Sequence, residues 1–357
     1  MAPTFSANGL PLLIGSLPLY DHTEGVKLVF EYTPEIPLWV QLPAFREEGM
    51  IAQFQPGFPG LTVKAEKSFV DTSNPSFDND ILGFYEDFMA VSENKEDINH
   101  SRFAMDRETA GGFFAFTEHL RSLPRRPTAV KGQITGPVTF GLGLCDQNGK
   151  AVFYDDQLRD VVLKLLAQKA RWQVKMLSEF GSQTIIFLDE PALAGFGSSA
   201  MISVSGEEVA ACFGEIIGTA HDEGALAGIH VCANADWSLI LESEADVLSF
   251  DAYSFFDKLM LYPDQVKRFM ESGKILAWGI VPTLNSDDIE KETAESLVAR
   301  WEAQSVAMED LGFDKSAILA QTFITPACGT GSLPLDLATK VLALTRQVSD
   351  TLRKKYG

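Results

Sequence analysis

Short apolar runs alternate with segments of helical length almost from end to end, and this constrains the fold more than any single motif. Eight such runs stand in the sequence: Leu12–Gly15, Pro37–Leu42, Ala129–Thr135, Thr184–Leu188, Gly228–Val231, Asp246–Phe250, Lys274–Ile280 and Ala317–Ile324. Strands alternating with helices are the mark of a parallel sheet covered by helices. Runs such as Thr184-Ile-Ile-Phe-Leu188 and Ile275-Leu-Ala-Trp278 are continuously apolar, as strands buried on both faces must be.

Between the runs, Asp155–Phe180 places Val161, Val162, Leu165, Leu166, Ala170, Val174 and Leu177 close to the helical period. Glu207–Ala220, Asp264–Met270, Asp287–Leu311 and Leu335–Tyr356 follow the same pattern. Gly181, Gly224, Gly273 and Gly312 stand where helices should stop. Eight strands, each followed by helix, predict an α/β chain folded as a single (β/α)8 TIM barrel over residues 1–357; a doubly wound open sheet is the alternative. The connection after the second strand, residues 44–127, is too long for an ordinary βα loop. It carries the turn-rich Gln55-Pro-Gly-Phe-Pro-Gly60, aromatic residues at Phe77, Phe84, Tyr85 and Phe88, and a helix expected from about Asp106 to Leu123. Such a segment reads either as a lid or as a packing elaboration.

With 46% apolar and 22% charged residues, the chain has enough apolar material for a large core. A formal charge of −20 leaves nothing to neutralise phosphates and argues against nucleic acid. No segment approaches the roughly 18 to 20 uninterrupted apolar residues of a membrane span, and Met1-Ala-Pro-Thr-Phe5 shows no leader pattern. Four cysteines are too few for a disulfide framework, so the expectation is a cytoplasmic protein with reduced thiols.

In a barrel of this kind the site lies where strands exit into the following loops. Those exits carry Ile14-Gly15-Ser16, Thr135-Gly-Pro137, Asp189-Glu190-Pro191, His230-Val-Cys232, Asp251 and, in Thr325-Pro-Ala-Cys-Gly-Thr-Gly331, Cys328. Residues i and i+2 of a strand share a face, so His230 and Cys232 point the same way. Alone the pair reads equally as a small hydrophobe beside a core histidine. With Cys328 it becomes a soft set suited to zinc, three protein ligands leaving a fourth position open. Asp251 is either a further, oxygen ligand or a residue that orients the others. Asp189 and Glu190 read as an acid/base pair, a metal ligand, an ammonium site or a helix cap. The Ile14–Ser16 turn offers backbone N–H groups and a hydroxyl to an anion. Cys145 and Cys212 read as packing residues.

Taken together, Ile14-Gly-Ser-Leu-Pro18, Lys131-Gly-Gln-Ile-Thr-Gly-Pro-Val138, Leu188-Asp-Glu-Pro-Ala-Leu193, His230-Val-Cys232 and Cys328-Gly329 resemble the uroporphyrinogen decarboxylase/methionine synthase superfamily. They look most like the catalytic half of cobalamin-independent methionine synthase. The resemblance runs nearly end to end, in the family's order. It implies a zinc held by His230, Cys232 and Cys328, with Asp251 in place of the family's glutamate. It further implies a substrate carboxylate on the turn of Ile14, Gly15 and Ser16, and a substrate amino group on Asp189. The family's glutamate after the second strand falls near Ala44, where no acid stands. A one-barrel version looks like the stand-alone corrinoid-linked methyltransferases. That implies methylcobalamin on a corrinoid protein as donor, or else methyl-folate, and a small thiol such as homocysteine as acceptor.

Zinc-favoured ionisation of the acceptor thiol would supply the nucleophile. Asp189, His230, Cys232 and Cys328 are then the residues expected to carry catalysis. The rival readings are a porphyrinogen-type decarboxylase, which would need cations such as Arg46 or Arg102 at the mouth, and a non-catalytic corrinoid- or zinc-handling module.

Overall fold

The computed structural model describes residues 5–64, 67–198, 201 and 203–357. Residues 1–4, which belong to the stretch without a leader pattern, lie outside them. Six strands form one curled parallel sheet in sequence order: β3 (Ala129–Thr135), β4 (Gln183–Asp189), β5 (Leu226–Val231), β6 (Val247–Phe250), β7 (Ile275–Val281) and β8 (Thr322–Pro326). Two earlier strands, β1 (Leu61–Lys64) and β2 (Lys67–Val70), pair antiparallel in the long connection.

The continuous apolar runs are explained by two cores. Ile185 and Phe187 of β4, Val247 of β6, Ile275 and Ala277 of β7 and Phe323 of β8 pack with Leu10, Leu12 and Ile36 inside the curl. Their neighbours Ile186, Leu188, Leu248, Leu276 and Ile324 face the helices in the larger core. Each strand thus buries both faces, and the alternation that marks a half-exposed strand never arises.

Six of the eight expected strands are present, and the first two are not. Leu12–Gly15 and Pro37–Leu42 make only single parallel bridges: Pro11 to Ile324 of β8, Ser16 to Gln41, and Leu38 to Lys131 of β3. Leu12 N donates to Ile324 O at 3.0 Å and Lys131 N to Pro37 O at 3.0 Å. Pro11 and Pro37 have no N–H to extend a ladder, so pairing stays local. The run Ala317–Ile324 is also corrected. Asp314 caps a short helix, Lys315–Ala320, by accepting from Ala317 N at 2.7 Å, and the strand begins only at Thr322.

The expected helices appear at Asp156–Ser178, Gly206–Asp222, Pro263–Glu271 and Leu335–Tyr356. Asp287–Leu311 is two helices, Ser286–Lys291 and Ala294–Glu309, because Thr293 and Ser296 form a capping box that starts the second afresh. Gly181 and Gly224 take φ of 62° and 78° just past helix ends, the left-handed stop a glycine permits.

Residues 44–127 hold the β1–β2 hairpin and helices Phe77–Ser92 and Gly111–Ser122. The last begins later than expected, since Asp106 spends its carboxylate on Glu108 N and Thr109 N in a separate turn. Phe113 of this helix packs on Trp172, ring centroids 4.7 Å apart, and on Trp39 at 6.0 Å. The segment is thereby anchored beside β3, with its residues 48–50 at the carboxyl ends of the strands. Among the described residues no helix is long and apolar enough to cross a membrane.

Candidate metal centre and cleft

Parallel register sets the site. Asp189 of β4 pairs with His230 of β5, and His230 with Ser249 of β6, so three polar side chains enter the interior in one row at the strands' carboxyl ends. One step further on, Cys232 leaves β5, and Cys328 arrives from the turn after β8. One donor atom from each of His230, Cys232 and Cys328 lies within 4.8 Å of the others. His230 is 3% exposed; its Nδ1 is 2.9 Å from Ser249 Oγ, and its Nε2 has no partner. A buried ring nitrogen left bare beside two thiols is costly unless something binds it. The donor set, one imidazole and two sulfurs, suits zinc.

The two thiols act on each other: the Cys328 side chain, then His230, hold the Cys232 thiol down to about 4, while the Cys328 thiol is pushed up beside Cys232. Asp251 stands outside the 4.8 Å group. One of its oxygens accepts from Ser254 N at 2.8 Å, capping helix Ala252–Leu259; the other is buried with no partner. Burial raises its carboxyl, and the Cys232 charge raises it further.

A cleft of about 260 Å³ opens above the trio. Asp189, His230, Cys232, Cys328, Ile14 and Ser16 all line it, and so do Gln41, Glu48, Met50 and Thr135. Asp189 keeps one buried oxygen, Oδ1, unpartnered; burial raises its carboxyl, opposed by His230 and Lys131. Gly15 O accepts from Gln41 N at 3.1 Å, which fixes the turn against the second run. Ser16 closes on the other side: its Oγ accepts from Gly331 N at 3.2 Å and its carbonyl from Thr330 N at 3.0 Å. A Cβ on Gly329 would lie 2.2 Å from Ser16 Oγ, so only glycine allows this approach.

Glu190 does not join the cleft. Its carboxylate turns away and accepts from Val138 N at 2.9 Å and from Thr139 N and Oγ1 at 2.9 and 2.6 Å. It caps helix Pro137–Gly143, and burial pushes its carboxyl up to about 7. Of the roles open to the Asp-Glu pair, Glu190 takes the cap, and it is not among the residues that line the cleft. The Thr-Gly-Pro turn is explained with it, since a Cβ on Gly136 would lie 2.3 Å from that carboxylate.

The sequence marks out no site role for three further residues at or below the cleft. Lys131 of β3 is fully buried, its Nζ donating to Ile14 O at 2.6 Å and to Gln133 Oε1 at 3.2 Å above the Phe187 ring. Burial lowers its ammonium to about 8. Ser249 could be found from strand alternation, two residues before Asp251. Glu48 comes from a 3-10 turn, Arg46–Glu48, and pairs with His22 at 2.5 Å. Cys145 and Cys212 do not line the cleft; Cys212 lies in the core, where burial pushes its thiol up to about 11. Neither a scan against protein-family models nor a search of curated proteins finds a match for this chain.

Proposed function

We propose that the chain is a zinc-dependent methyltransferase whose acceptor is a small thiol. The observation that carries this is the meeting of a His230 ring nitrogen and two cysteine sulfurs beside a cleft sized for a small molecule. In this reading His230, Cys232 and Cys328 hold the ion, and Asp251 orients that set from beside Cys232. The first two runs, bridged to β8 and β3, are taken as the closing members of a (β/α)8 barrel.

Zinc bound there lowers the pKa of a coordinated thiol and so makes thiolate available at neutral pH. The protein does the rest. Asp189, with a bare oxygen in the cleft, receives a positive group of the acceptor, and the Ser16 hydroxyl and turn receive a negative one. Lys131 holds the Ile14 carbonyl from beneath and so sets the angle of that turn. Ile14, Pro43, Met50 and Pro191 form apolar walls that exclude water from the methyl group in transit. The acceptor sulfur attacks the methyl carbon in line, and the electron pair of the breaking bond leaves with the donor.

The decarboxylase alternative has less support, because no arginine or lysine lines the cleft among the described residues. Arg102 instead pairs with Asp87 at 2.6 Å, out on the long connection.

Zinc-loaded protein offered a panel of small thiols, with methylcobalamin or methyl-folate as donor, should give the methyl thioether by mass spectrometry. The Cys232→Ser variant should give none. Metal binding without turnover for any pair would make the protein a metal-handling module instead. Full activity in a metal-free variant would end the proposal.

A further inference from the structure

We propose that Glu48 and His22 form the proton exit of the reaction, Glu48 receiving the proton of the acceptor thiol and His22 passing it to solvent. The inference rests on the thiol reading above. Transfer from R–SH releases one proton: the S–H bond breaks with its electron pair staying on sulfur, the S–C bond forms, and the donor keeps the pair of its broken bond to carbon. In a cleft with apolar walls that proton needs a base.

The cleft offers few. His230, Cys232 and Cys328 are committed to the ion. Asp189 has a bare oxygen but no side-chain hydrogen bond leading outward. Glu48 differs in having such a bond. Its side chain is 1% exposed, and Oε1 lies 2.5 Å from His22 Nε2, on a ring that is 24% exposed. The His22 ring is stacked on Phe45 at 5.2 Å, which fixes its plane. A buried carboxylate lining the cleft is therefore one hydrogen bond from water.

A purely structural clamp would need less. Glu48 Oε2 already fastens the connection by accepting from Leu42 N at 2.7 Å. Oε1 and the histidine go beyond that clamp, joining helix His22–Tyr32 to the turn through a titratable pair. Around it, Leu42 N and Gly111 N donate to Glu48, and burial raises its carboxyl; Asp21 is the other charge acting with His22.

The test follows 2-mercaptoethanol binding to cobalt-substituted protein by the thiolate-to-cobalt absorption band in stopped flow. In Glu48→Gln and His22→Gln the rate should fall on the order of 100-fold at neutral pH. The deficit should close above about pH 9, where the thiol ionises unaided. Cobalt content should match wild type in both variants, which excludes misfolding. His22→Gln keeps the Glu48–Leu42 clamp, so its deficit isolates the proton path. Equal rates, or a deficit of the same size at every pH, would overturn the inference and leave the functional reading standing. Failure of the wild type itself to show the band would overturn both.

Discussion

His230 and Ser249 sit opposite each other on β5 and β6, and the 2.9 Å contact between Nδ1 and Oγ leaves the buried Nε2 as the unpartnered ring nitrogen. Ser249 contacts the ring without belonging to the three-residue donor group. Replacing it by alanine should leave the fold intact, since the Ser249 hydroxyl makes no other hydrogen bond among the described residues, and free the ring to rotate. Outer partners of metal-binding histidines are typically worth about 10- to 100-fold in affinity. Zinc affinity of Ser249→Ala, measured by chelator competition, should fall by that factor. An unchanged affinity would show that the ring is held by packing alone.

Cys232 and Cys328 come from separate strand exits, and each should be indispensable to the metal. Protein as purified should hold about one zinc per chain. Cys232→Ser and Cys328→Ser should each hold almost none, because a serine hydroxyl does not ionise in its place. Cys145→Ser is the control: Cys145 is partly exposed beside an isolated bridge and lies outside the cleft. Elemental analysis of the three variants reads the result directly.

Gly136 is required by sterics rather than by backbone conformation, since its φ is −67°. A methyl group there meets the Glu190 carboxylate at 2.3 Å, and that carboxylate cannot move without releasing Val138 N and Thr139 N. Gly136→Ala should cost at least about 1–3 kcal/mol in denaturant melts. Much of the cost should vanish in a Glu190→Ala background, a coupling that a double-mutant cycle measures.

Six strands were legible because β3 to β8 are buried on both faces, which leaves a continuous apolar signature. The first two runs carry the same signature for the same reason, but Pro11 and Pro37 remove donors, and composition does not say how far a ladder extends. The grouping of His230, Cys232 and Cys328 was legible through strand periodicity and the small-residue turn around Cys328. Glu48 was not, since it enters the cleft from a 3-10 turn four residues beyond Ala44, where the acid was sought. The sequence left Glu190 between a cap and a cleft role because the helix it caps, Pro137–Gly143, belongs to the preceding strand's exit. Adjacency in sequence pointed to the cleft, and only packing across two units reveals the cap.

Glu190 gives the fold a dependence on pH whose direction follows from burial. Its carboxyl is pushed up from the ordinary 4.5 to about 7, desolvation outweighing three stabilising hydrogen bonds. Between those values the folded protein binds a proton that the unfolded chain has released. Stability therefore falls as pH rises through this window, the reverse of a carboxylate held low by a salt bridge. A shift of that size corresponds to about 3 kcal/mol for the group alone. Wild-type protein should thus lose stability between about pH 5 and pH 8. Glu190→Gln, which cannot ionise, should start lower, because its amide presents a donor to Val138 N or Thr139 N, but should show a flatter profile. Urea melts of both proteins across the range provide the check, and parallel slopes would mean that Glu190 stays ionised throughout.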